Sequence, residues 1–123
     1  MIEPRILQRA LIVGSVLQVA WIALGHFYPP LRAYGNVFLF GGMMISAIAG
    51  YLYGMDFGAG YARGALGGAV AGGGAALIGI AFAVLLADAS ASELPLGVAI
   101  SVLTGAVGGL WGEVAARMRR AGW

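Results

Sequence analysis

Four apolar stretches, at residues 6–27, 34–55, 61–87 and 95–117, divide the chain, with short polar or proline-bearing breaks between them. Each is long enough to cross a hydrocarbon core about 30 Å thick, which takes roughly 20 residues at helical rise. The breaks agree with that division. Tyr28-Pro29-Pro30 cannot continue a helix, and the polar run Asp88–Glu93 leads to Pro95, which suits a first turn. Asp56 and Gly60 bound so short a link that the second and third spans are expected to form a tight antiparallel hairpin.

Small residues recur inside the spans at helical spacing. Between Gly60 and Ala76 the chain reads GYARGALGGAVAGGGAA, with Gly60, Gly64, Gly68, Gly72 and Ala76 every fourth residue on one ridge. The second span repeats the ridge at Gly42, Ser46, Gly50, Gly54 and Gly58, and the fourth at Gly97, Ser101, Gly105 and Gly109, leading to Glu113. In lipid such seams let backbones approach closely and gain van der Waals contact where hydrophobic driving force is absent. A glycine cradle for a phosphate or dinucleotide would need a preceding strand and the G-x-G-x-x-G register, and this stretch has neither.

The expected fold is therefore all-α: a polytopic membrane protein, residues 1–123 forming one domain of four transmembrane helices in a glycine-rich bundle. Gly50-Tyr-Leu-Tyr-Gly54-Met-Asp56 is echoed by Gly108-Gly-Leu-Trp-Gly112-Glu113. The echo raises an arrangement of two tandem helix hairpins about an axis along the membrane normal, although the first and third spans show no matching repeat.

Composition sharpens the membrane reading. Of 123 residues, 61% are hydrophobic and 10% charged, against about 25% charged in ordinary soluble domains. All seven basic residues are arginine, which excludes a P-loop lysine and a Schiff-base lysine. The lack of cysteine excludes disulfides, thiolate nucleophiles and cysteine-held metals.

Six arginines, Arg5, Arg9, Arg63, Arg117, Arg119 and Arg120, fall on one side of a four-span arrangement, and Arg32 falls on the other. The positive-inside rule then predicts a multi-pass protein of the cell (inner) membrane with both termini cytoplasmic. The first span is expected to be retained, since no small-x-small cleavage site precedes the Pro-Pro break. Anionic lipid accounts for the basic tail, and no nucleic-acid partner is expected.

Candidate chemistry is sparse. Gln18 is the amide nearest the middle of a span, on a face with Ser15; it either bonds to a neighbouring helix, the simpler expectation, or lines a path. Asn36 and Arg32 stand where an anion would approach the second span, and Asp56 and Glu113 where an ion or proton would leave. Glu113 also has the spacing to pair with Arg117. His26 is expected in an interfacial aromatic belt. No catalytic set, metal cluster or cofactor site is expected, and the protein is read as a non-enzyme.

Two functions fit. One is a small oligomeric channel or permease, with a path between helices or subunits through Gln18, Ser15 and Asn36. The other is a non-catalytic accessory subunit whose glycine seams dock into a larger membrane complex. The expected partners are the lipid bilayer and further copies of this chain or other membrane helices, because three seams offer more close-packing surface than one four-helix bundle obviously uses.

Overall fold

The structure, a computed structural model, describes residues 2–33 and 36–122, with the backbone but not the side chain of Asn36. The elements are α1 (Pro4–Phe27), α2 (Pro29–Ala33), α3 (Asn36–Phe57), α4 (Tyr61–Leu85), a 3-10 turn (Ala91–Glu93) and α5 (Leu94–Arg120). The described residues contain no strand, and four of the helices are long and apolar enough to cross a membrane. The chain is an all-α four-helix bundle of the multi-pass membrane class.

Helix ends follow local chemistry. Pro29-Pro30 ends α1, whose last turn closes with Tyr28 N–H donating to the Leu24 carbonyl. The same prolines then open α2, because a fixed φ and a missing N–H cost nothing in a first turn. The α3–α4 link turns through Gly58 and Gly60, at φ +58° and +129°, values that an L side chain rarely adopts. Before α5, Ser90 and Glu93 form a reciprocal capping box, and Pro95 occupies the first helical turn.

Helices α3, α4 and α5 pack against one another in all three pairings, and α1 lies on α3 and α4 without touching α5 among the described residues. The glycine seams make the triple contact. A Cβ at Gly68 would run into the Gly105 carbonyl, and one at Gly72 would lie 2.7 Å from Gly105 Cα and 2.9 Å from the carbonyl oxygens of both Ser46 and Ser101. Three backbones meet at Gly72. Gly64 likewise faces Gly109, and Gly50 and Gly54 face Gly105 and Gly109.

This arrangement changes the expectation drawn from the seams in two ways. The central seam positions, Gly50, Gly54, Gly64, Gly68, Gly72, Gly105 and Gly109, pack against backbone inside one chain, so those positions do not by themselves argue for an oligomer. Three of the seam positions also do other work. A Cβ would meet no backbone at any of them: it would find nothing within 4 Å at Gly60, which caps α4, Gln18 Oε1 at 3.8 Å at Gly42, and the tip of Ile80 at Gly97.

The echo between α3 and α5 has a geometric counterpart. Gly50 abuts the Gly105 carbonyl while Gly108 abuts that of Ala47, and Gly54 abuts the Gly109 carbonyl while Gly112 abuts that of Tyr51. One constant shift carries each α3 residue in these pairs to its α5 counterpart, so the two parallel helices meet through equivalent surfaces. The equivalence stops there: α4 touches α3, whereas its counterpart contact between α1 and α5 is absent among the described residues.

Candidate functional site

Where the glycines of α3 and α5 cease to meet, a cavity of about 470 Å³ opens. Its floor lies one turn above the Gly72 contact, at Ala76, Gln18 and Ser101, and its mouth at Arg32, Asp88, Ser92 and Glu93. Gln18 stands nine residues before the end of α1, so the floor is roughly 14 Å deep at 1.5 Å per residue.

Gln18 is 4% exposed, and its Nε2 donates to the Gly42 carbonyl at 3.0 Å and to Ser46 Oγ at 3.1 Å. A carbonyl can only accept, so the amide orientation follows from the contact: nitrogen toward α3, with Oε1 left between Gly42 and Gly79, 3.8 Å and 3.3 Å from where a Cβ would stand on each. Burial of this amide without those bonds would cost a few kcal/mol. The expected bond to a neighbouring helix is therefore present, and Gln18 lines the cavity as well. Ser101, read from the sequence as a packing residue, is 6% exposed and also reaches the cavity.

The wall is apolar and partly aromatic. Trp21 and Phe38 stack with centroids 5.3 Å apart and planes inclined at 16°, and the Trp21 indole N–H donates to the Phe38 carbonyl at 2.9 Å. That bond satisfies the indole and holds its plane.

At the mouth, Asp88 gathers two partners from the α1–α2 corner. Its Oδ2 lies 2.7 Å from His26 Nδ1 and its Oδ1 3.2 Å from Arg32 Nη1, while Arg32 Nε donates to the Gly25 carbonyl at 3.0 Å. His26 is thus tied to a carboxylate as well as stacked edge-on against Phe27. This junction pins the loop after α4 to the end of α1. No spacing rule announces it, because the partners are far apart in sequence; the available signal was the placement of polar residues at the same end of successive spans.

The other acids sit at the opposite, arginine-rich end. Glu113 has no exposed surface; it accepts from Gly60 N–H at 3.0 Å and from Arg117 Nε at 2.8 Å, with Arg120 Nη2 at 3.5 Å. Asp56 pairs with Arg9 at 3.3 Å. Both acids hold helix ends together, and neither lines the cavity. Ser15 does not line it either: its Oγ is enclosed without a hydrogen-bond partner. The Asn36 side chain lies outside the described residues.

No family model matches the chain, and no curated protein or solved structure is significantly similar to it.

Proposed function

We propose that the chain is a small permease whose solute path runs through the bundle of a single subunit, entered from the non-cytoplasmic side at the Arg32–Asp88 mouth. The observation that carries this reading is the cavity itself. Its volume is in the range of small-molecule sites, its walls are apolar, and a few buried polar groups converge at the floor. The contact of three backbones at Gly72 closes the path on the other side, so the cavity corresponds to one access state of a two-state carrier. The cytoplasmic assignment of the sealed end rests on the arginine bias. An accessory role has less support, because the central seam positions that would dock a partner are already occupied within the chain.

The test is solute exchange in reconstituted liposomes. Wild-type protein is expected to accelerate exchange of tyrosol, a small uncharged aromatic alcohol, above the rate of protein-free vesicles. Gly42→Leu, which places a side chain into the cavity where a Cβ meets no backbone, is expected to return that rate to background. Identical rates with and without wild-type protein would overturn the permease reading.

A further inference from the structure

We propose that the cavity floor selects uncharged ligands that present a hydrogen-bond donor, with phenols and aromatic alcohols as the chemical class; this inference rests on the cavity being the solute site. Two side chains more than nine-tenths buried supply the recognition. Gln18 spends both donor contacts of Nε2 on α3, and none of the side-chain hydrogen bonds among the described residues reaches its Oε1 or the Ser101 hydroxyl. Both residues line the cavity.

An amide oxygen accepts and never donates, so a ligand that reaches Gln18 must bring the proton. Ser101 Oγ both accepts and donates, and it can return a hydrogen bond to the ligand's own oxygen. Ether and hydrocarbon ligands leave Oε1 unpaired, at the cost that attaches to any buried polar group. Charged ligands are disfavoured for a separate reason. The acids and the arginine of the site stand at the mouth, with Asp88 already shared between His26 and Arg32, and the floor carries no formal charge to offset desolvation. The stacked Trp21–Phe38 wall suits a flat apolar body behind the donor.

The experiment uses two probes that differ by one methyl group, 4-bromophenol and 4-bromoanisole, whose bromine quenches indole fluorescence. With Trp111→Phe and Trp123→Phe, Trp21 is the remaining tryptophan and reports on its own wall. In nanodiscs, the phenol is expected to quench saturably with a Kd about tenfold below that of the anisole, the scale of one hydrogen bond and one avoided unpaired acceptor. Ser101→Ala, which leaves the Gln18 contacts to α3 in place, is expected to reduce the preference to about threefold, and Gln18→Met with Ser101→Ala to abolish it. Gly42→Leu is expected to remove saturable quenching by both probes.

Equal affinity of the two probes for the wild-type cavity, as a resident water bridging Gln18 and Ser101 would give, overturns donor selection and leaves the solute site standing. Quenching that does not saturate with either probe, and that Gly42→Leu leaves unchanged, overturns the site and the inference together.

Discussion

Glu113 carries a full charge at a position with no exposed surface, and it is tolerable there because three donors surround it. Gly60 N–H is the donor with most at stake, since it belongs to the opening turn of α4, where helical partners are missing. Glu113→Ala is expected to destabilise the detergent-solubilised protein by about 1–3 kcal/mol. Glu113→Gln, which keeps an acceptor for Gly60, should lose less; thermal unfolding compares the two. The Glu113–Arg117 pair was legible in the sequence as a Glu and an Arg four residues apart, but the Gly60 contact was not, because it joins two helices. At the other end, Asp88→Asn keeps a carbonyl oxygen near Arg32 yet removes the carboxylate shared with His26. It is expected to speed amide exchange in α2 and the loop after α4 relative to wild type, measured by mass spectrometry.

Among the elements, α3 and α5 meet through equivalent surfaces, and that equivalence has a measurable consequence. A methyl group at Gly50 meets the backbone of Gly105, and one at Gly108 meets the backbone of Ala47. Backbone cannot rotate away as a side chain can, so both Gly50→Ala and Gly108→Ala are expected to cost roughly 2 kcal/mol or more, and by similar amounts. Gly42→Ala, on the same ridge, is expected to stay within about 0.5 kcal/mol, since its Cβ would find ordinary contact distance to Gln18 Oε1. Unfolding in graded detergent mixtures ranks the three. Spacing by four made the ridge visible in the sequence. It could not show that Gly42 and Gly97 lie past the point where α3 and α5 part company, because a glycine beside a cavity and a glycine beside a backbone are the same letter.

For the whole molecule, the arginines that mark one end of the bundle also tie its helices. Arg120 donates to the Gly58 carbonyl at 2.8 Å and Arg119 to that of Met55 at 3.2 Å, and Arg117 lies 4.3 Å from the Tyr61 ring centroid. The native chain has no cysteine, so single substitutions give a clean map of sidedness. Under the proposed orientation, Ser92→Cys should react with an impermeant maleimide on intact cells, and Ala62→Cys only after permeabilisation. Labelling of both from one side would overturn the four-span arrangement. Within the bundle, Gly42→Cys is expected to react through the cavity at a rate that Gly54→Cys, at the α3–α5 contact, does not share.

Length, apolarity and the spacing of small residues determined the four spans, their antiparallel order and the closeness of their packing. These properties are local: a run of apolar residues is stable in hydrocarbon whatever lies beside it, and a helix without side chains on one ridge admits a near neighbour of any kind. Which neighbour each ridge takes depended on the tertiary structure. So did the point where packing gives way to a cavity, the direction of the Gln18 carbonyl and the gathering of His26, Arg32 and Asp88. Each of these is set by the relative placement of helices, a property of the assembled bundle that no single segment encodes.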